Sequence, residues 1–436
     1  KLPSKRTLAK DNKISVRTVI NAYEQLIAEG FIVSEEKKGY FVAEIFEDSI
    51  SEKKKNKKIR ETTTKDYLID FTAHQLVCER FPISMWKKVI REVLTDYDKE
   101  LVQKADYKGV KKLRSAIADY LYRSRGMDVD EECVVIGAGL EYLYGRLYKI
   151  LPKDAIYAME NPGYQRIRHI YDDYDLSWKC IAMDKEGIKI RDLEDSKAKI
   201  IHISPEHHFP LGITMSKERR WELLKWAEKE NNRYIIEDDY DCEYRYDDRL
   251  APAIQCWDKK GKVIYINSFS KSLAPSIRIS YMVLPKELMK KYEKVASVYS
   301  NSVSSCEQYA LAKFLDEGYF ERHMRRMKKY CREQGERLLK YLKQSETFSK
   351  AKIYGGKSGT HFLVKVDTRL SDEELMKEAK KQKIKIRCLS RYCRENHEEY
   401  RHMLIFQYSD ASDQRIKKAI KLLENILKEN PSDTQI

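Results

Sequence analysis

From about Tyr67 to the carboxy terminus, short apolar runs alternate with helical patterns, and each run is followed by a turn that carries polar side chains. EECVVI (131–136), AIYAME (155–160), KIIHIS (199–204), RYIIE (233–237), YIN from Tyr265 and IRISYMVL (277–284) are the runs. That alternation predicts an α/β fold with a mainly parallel sheet. Such sheets place ligands beyond the carboxyl ends of their strands, so the residues after each run carry the functional argument. At 436 residues there is room for two or three domains and at least one large core. No apolar run is long enough to cross a bilayer, and no charged-then-apolar leader opens the chain, so no membrane role is expected. Nine cysteines without a CxxC pair fit reduced thiols in a cytoplasmic protein.

After EECVVI comes GAGLEYLYGRLYKIL, a glycine turn opening a helix. Exposed amides near Gly139, Leu140 and Glu141 would hold an anion such as phosphate, although a strand-to-helix turn needs glycine anyway. Glu141 suits the helix dipole but would crowd a phosphate if it faced inward. NPGYQR follows AIYAME and aims Tyr164 and Arg166 at the same region. PEHHFPLG follows KIIHIS, and its adjacent histidines, His207 and His208, should point apart and make a poor metal pair. No metal site is expected. DDYDCEYRY follows RYIIE, and Lys271 sits in a serine-flanked turn 33 residues after Asp238. A lone lysine there is ordinarily a solvated loop charge.

A carboxylate, an aromatic ring, an anion-binding turn and an amine after neighbouring strands suit one cofactor, pyridoxal phosphate. It needs an amine for its aldehyde, a carboxylate for its ring nitrogen, a flat group against the ring and donors for its phosphate. Lys271 would form the imine, Asp238 would hold the pyridinium, Tyr164 would stack, and Tyr240 would bond the phenolic oxygen. Ser268, Ser270, Arg278 and the turn at Gly139 would hold the phosphate. The planar guanidinium of Arg278 suits it by two parallel bonds.

The first 45 residues follow other rules. Ser4 reads as an N-cap of a short helix, and Ser15 as that of a second along which Val19, Tyr23 and Leu26 form one apolar stripe. Gly30 should stop it, and FIVSEEKKGYFVAE reads as two strands around a charged turn closing at Gly39. This is the layout of a winged helix-turn-helix, an α+β unit. In that geometry Arg17 and Thr18 would face bases or phosphates of double-stranded promoter DNA, while Lys5, Arg6, Lys37, Lys38 and Gly39 of the wing would meet the backbone. The net charge of +15 does not make this case. Residues 1–66 hold 15 basic against 11 acidic side chains, so the excess is spread over the chain. Residues 46–66 read as a charged, solvated linker between a 1–45 domain and a 67–436 domain.

LPSKRTLAK, SVRTVINAYEQLIAEGF and KKGYFV closely resemble the DNA-binding domain of the GntR family of bacterial regulators. That family usually has a helix before the LPS segment, which this chain begins without, and often carries arginine where Val16 stands. ENPGYQR, PEHHFPLGITMS, IIEDDYDCEYRY and NSFSKSLAPSIRISY resemble the fold type I aminotransferase-like domain of MocR/GabR-type regulators. The resemblance implies large and small subdomains, a head-to-tail homodimer, and a cytoplasmic transcription factor, nucleoid-associated when bound to DNA. It implies Lys271 as the internal-aldimine lysine, with the cofactor or an amino compound as effector. A working aminotransferase would use the same lysine, so the motifs do not separate the two, whereas the winged helix favours the regulator.

Amino-acid aminotransferases generally clamp the substrate carboxylate with an arginine on a late strand. Here the expected place falls near Met403 or Leu404 in HEEYRHMLIFQYSDASD. Arg401 is close but out of phase in a period-two strand, Arg387 and Arg391 lie upstream, and Arg166 is a further anion ligand. Glu206 and His208 stand where the family often has Ser and Gln, which suggests unusual effector chemistry.

Overall fold

The computed structural model describes residues 1–28, 31–35, 38–43, 67–72, 80–246, 252–356, 358–394 and 398–431. The linker expected at 46–66, Gly30 and Lys37 lie outside the described residues. Two compact units are present, Lys1–Lys65 and Asp66–Ile436.

In the first unit, Ser4 caps the helix Lys5–Asp11 by accepting the Thr7 N–H at 3.1 Å. Lys13 takes a left-handed backbone (φ 52°) in the turn that follows. Ser15 then accepts the Thr18 N–H at 3.0 Å and opens the helix Val16–Ala28. These caps satisfy amides that a helix start leaves without partners. The strands Ile32–Glu35 and Gly39–Val42 pair antiparallel, with Glu35 opposite Gly39. Gly39 has φ +111°, which a side chain would strain. Ala9, Val19, Tyr23 and Ile32 form the core, and the Tyr23 hydroxyl donates to the Pro3 carbonyl at 3.0 Å. Helix, turn, helix and hairpin thus stand as the sequence pattern predicts.

The second unit is built on an eight-stranded sheet. Its order is Val134–Gly137, Ser280–Val283, Val263–Ser268, Tyr234–Asp238, Ile200–Ile203, Tyr157–Asn161, Trp178–Asp184 and Gly187–Ile188. Ser280–Val283 and Gly187–Ile188 run antiparallel to their neighbours, and the other pairings are parallel. Ile200–Ile203 and Val263–Ser268 are buried along their whole length. A strand covered on both faces reads as a continuous apolar run, which is why these segments lack alternation.

A four-stranded antiparallel sheet, Lys352–Gly355, His361–Lys365, Met403–Gln407 and Arg387–Cys388, follows the 26-residue helix Tyr319–Gln344. The Lys271 turn is a short helix, Phe269–Ser272, packed by the buried Phe269. Among the described residues, no helix is long and apolar enough to cross a membrane.

Candidate functional site

Five strands of the large sheet deliver their carboxyl ends to one cavity of about 440 Å³. Val134–Gly137 leads to Leu140, Glu141 and Tyr144. Tyr157–Asn161 leads to Tyr164 and Arg166, and Ile200–Ile203 to Ser204 and Phe209. Tyr234–Asp238 supplies Asp238 itself and Tyr240, and Val263–Ser268 supplies Ser268, Ser270 and Lys271. Arg278 completes that wall.

Lys271 is partly buried in the cavity wall, and its Nζ stands 3.9 Å from the centroid of the Tyr240 ring. Burial pulls its ammonium below the ordinary lysine range, opposed by the carboxylates of Asp241, Asp238 and Glu243. An amine of lowered pKa is a stronger nucleophile at neutral pH because more of it is unprotonated. Asp238 Oδ2 accepts the Tyr144 hydroxyl at 3.0 Å and lies 3.3 Å from His202 Nε2, while Tyr144 Oη and His202 Nε2 are 2.8 Å apart. Asp238 Oδ1 is buried and has no partner among the described residues. An orphaned buried carboxylate oxygen is unfavourable unless a ligand supplies the donor.

Ser268 Oγ accepts from the Ser270 N–H at 3.2 Å and from Ser280 Oγ at 2.8 Å, which leaves its own O–H uncommitted among the described residues. Gly139 has φ +95°, and a Cβ there would lie 2.3 Å from Arg278 Nη2. The guanidinium is therefore seated against a bare backbone at the start of the helix Leu140–Leu147. Glu141 does face inward: its Oε1 is 2.6 Å from Arg166 Nη1, and its Oε2 is 2.8 Å from Arg278 Nη2. Burial pushes this carboxyl up, but its own backbone N–H, Arg278 and Arg166 together hold it below the ordinary glutamate range. Tyr164 meets Phe209 edge-on at 6.1 Å.

One expectation needs correction. Arg401 lies outside the cavity lining, half-exposed and paired with Glu398 at 2.9 Å, because the strand Met403–Gln407 begins beyond it and turns Met403 and Leu404 into the core. Tyr240 lines the cavity, and its hydroxyl donates to the His207 carbonyl at 2.7 Å. Ser270 also lines the cavity, and its hydroxyl donates to the Ile277 carbonyl at 2.8 Å.

His207 and His208 do part: His207 Nδ1 meets Asp241 Oδ2 at 2.9 Å, and His208 Nε2 lies 3.4 Å from Glu160. Among the described residues, no cluster suits a metal. Glu206 accepts Arg125 at 3.0 Å and Arg220 at 2.9 Å, with Arg245 on its other oxygen, and is held down to about 2. It is a buried structural anion, set apart from the cavity lining.

Sequence reasoning missed His202 and Tyr144, and set Arg387 aside as lying upstream of the expected place. His202 was marked by an imidazole inside an aliphatic strand, and Tyr144 by its place one helical turn after Glu141, on the same face. Arg387 lines the cavity from the smaller sheet.

In the first unit Arg6, Arg17 and Thr18 are exposed. The Thr18 hydroxyl is bonded to Ser15 Oγ at 2.7 Å, Lys5 stands 5.1 Å from the Tyr40 ring centroid, and exposed Lys38 pairs with Glu35 at 3.1 Å beside Gly39.

The fold and the cavity define the class: a fold type I aminotransferase-like body. The family model for aminotransferase class I and II matches residues 68–398. The HTH-type transcriptional regulator YdeL of Bacillus subtilis is 37% identical over 97% of this chain and 91% of its own length. The probable rhizopine catabolism regulatory protein MocR of Rhizobium meliloti is 29% identical over 90% of this chain and 82% of its own. Among solved structures, the Pyrococcus horikoshii kynurenine aminotransferase in complex with PMP superposes with a TM-score of 0.72. It is 23% identical and covers 84% of this chain and 92% of that one, a likeness of fold alone. The chain belongs to the aminotransferase class I and II family, in its MocR/GabR-type branch of HTH-type transcriptional regulators.

Proposed function

We propose that this chain is a pyridoxal-phosphate-dependent transcriptional regulator that binds promoter DNA through residues 1–43 and senses the cofactor, or an amino compound reacting with it, at Lys271. The observation that carries the reading is Asp238 Oδ1, a buried carboxyl oxygen without a partner among the described residues, on the wall of the cavity that Lys271 enters. It suits the protonated nitrogen of a pyridine ring, and Tyr144 and His202 keep its other oxygen oriented. Ser268, the amides opening the helix at Leu140, and Arg278 against Gly139 suit a phosphate, which would take the place of the Glu141 carboxylate on Arg278. When bound, the cofactor supplies an electrophilic carbonyl carbon for amines. Lys271 would hold it covalently, Tyr164 would cover the ring, and Arg166 would meet an anion.

Arg17 and Thr18 would read the major groove, with Lys5, Arg6, Lys37, Lys38 and Gly39 against phosphates. The effector acts by linkage: a ligand preferred by one conformation shifts DNA binding by its difference in affinity. A head-to-tail homodimer and a cytoplasmic location belong to the same reading. The test is a titration of the chain's own upstream promoter DNA with the full-length protein, with and without pyridoxal phosphate and candidate amines. A change in DNA affinity on adding cofactor or amine is expected. Cofactor binding without any change would leave an enzyme rather than a sensor.

A further inference from the structure

A second cavity, of about 210 Å³, shares a stretch of chain with the first. Tyr240 and Tyr244 line the Lys271 cavity, whereas Cys242, Glu243 and Arg245 line this one. The helices Lys111–Arg125 and Tyr319–Gln344 supply its other walls. On the long helix Glu321, Met324, Arg325 and Lys328 recur at spacings of three and four, which sets them along one side. Phe320 and Met324 are buried and apolar, and Tyr120 meets the Phe320 ring edge-on at 5.2 Å.

The polar groups of this cavity are only partly engaged. Arg125 is 8% exposed, and its Nη2 lies 3.0 Å from Glu206 and 2.9 Å from Asp239. Its Nε and Nη1 have no partner among the described residues. Buried donors left unmatched are unfavourable unless a ligand supplies the acceptor. Arg325 is exposed and Lys328 half-buried, and neither has a carboxylate partner among the described residues. The remaining charges of the lining are engaged, Arg245 by Glu206 and Glu321 by Arg123 at 3.3 Å. Glu243 accepts the Tyr120 hydroxyl at 3.4 Å on Oε1, while Oε2 is buried without a partner. Burial pushes this carboxyl up to about 7, so near neutrality it can keep a proton and donate it to an oxyanion.

Two unpaired cations beside a guanidinium with spare donors suit an anion of two charges, which a phosphate monoester carries near neutral pH. The apolar wall asks for a body that is not fully polar. The volume is below the roughly 300–1,000 Å³ of sites for drug-sized ligands, so the occupant is small. We infer that this cavity is a second ligand site, for a small organic phosphate: Arg325, Lys328 and Arg125 meet the phosphate, and Phe320 and Met324 meet its apolar body.

The test is calorimetric titration of the full-length, cofactor-loaded protein at neutral pH with phenyl phosphate, phenyl sulfate and inorganic phosphate. Phenyl phosphate should occupy one site per chain. It should bind about 10-fold more tightly than phenyl sulfate, which has the same ring and one charge fewer, and about 10-fold more tightly than inorganic phosphate, which has no ring. Arg325→Ala and Lys328→Ala should each weaken phenyl phosphate by about 10-fold, whereas Lys329→Ala, outside the lining, should leave it unchanged. Thermal melting reports that each variant folds. Absence of binding, equal affinity for the two esters, inorganic phosphate binding as tightly as phenyl phosphate, or an affinity unchanged in folded Arg325→Ala and Lys328→Ala would overturn the inference. Neither residue lines the Lys271 cavity, so dependence on them identifies the site with or without cofactor. A protein that takes up no cofactor sinks the regulator reading and leaves this one standing.

Discussion

The cations of the two units live under opposite physics. Lys271 lies in the wall of a cavity, and its charge is opposed by desolvation and supported by three carboxylates nearby. In residues 1–43, Arg6, Arg17 and Lys38 stand in solvent around a core of four side chains. A desolvated amine is costly to keep without a purpose, so its environment is specific and its removal should be felt as all or nothing. Solvated cations act additively, each through its own phosphate, and their loss should be graded. Chemistry is concentrated in one unit and distributed in the other.

Replacing Lys271 breaks the comparison hardest. Lys271→Ala should abolish covalent retention of pyridoxal phosphate, read as loss of cofactor absorbance after gel filtration. The fold should persist, because an ammonium is removed from a place that disfavours it. Colour that survives denaturing gel filtration of the variant would show that the wrong amine has been assigned.

Asp238→Asn is the next largest effect. The amide keeps the shape and can still accept from Tyr144, but it loses the charge facing the ring nitrogen. Cofactor affinity should fall by about 1.5–3 kcal/mol, the usual worth of a hydrogen bond to a charged group, measured by equilibrium titration. An unchanged affinity would mean that the orphaned Oδ1 faces water rather than the cofactor.

How much of this was legible beforehand differs between the same two regions. The strand ends were readable because every parallel strand presents its chemistry at its carboxyl end. Asp238, Tyr164, Ser268 and Lys271 could be assembled before any coordinates. The first unit was readable from its caps, Ser4 and Ser15, and from the Val19–Tyr23 stripe. Arg387 could be named but not placed, since its strand is two residues long and its partner strand begins sixteen residues later. No local period announces such a pairing. Arg401 was misplaced because it precedes the strand Met403–Gln407, in the turn where it pairs with Glu398. The direction of Glu141 depended on Arg166 and Arg278, one 25 and the other 137 residues away.

The graded side of the comparison is tested on DNA. Lys38→Ala should weaken binding to all sequences alike and lower the salt dependence by about one counterion, whereas Arg17→Ala should also relax sequence preference. Lys38 already has Glu35 as a partner at 3.1 Å, so its share should be the smaller. Binding isotherms at several salt concentrations on a specific and an unrelated duplex separate the two. Equal, sequence-blind losses for both variants would place the reading helix elsewhere.

The smallest expected effect lies beneath the cavity. Glu160, next to last in the strand Tyr157–Asn161, is fully enclosed and has its carboxyl pushed up to about 8 by burial, offset only in part by the Ser204 N–H that it accepts at 3.0 Å. The folded state therefore favours the protonated acid, while the unfolded chain titrates near the ordinary glutamate value. Stability from this group is complete below that ordinary value and is lost as pH rises toward about 8. Glu160→Gln keeps the acceptor for Ser204 and removes the proton equilibrium. Its melting temperature should decline less than that of the wild type between mildly acidic and mildly alkaline buffers. Parallel pH profiles for the two proteins would show that Glu160 is ionised in the folded state, and that Asp238 has a second negative charge beside it.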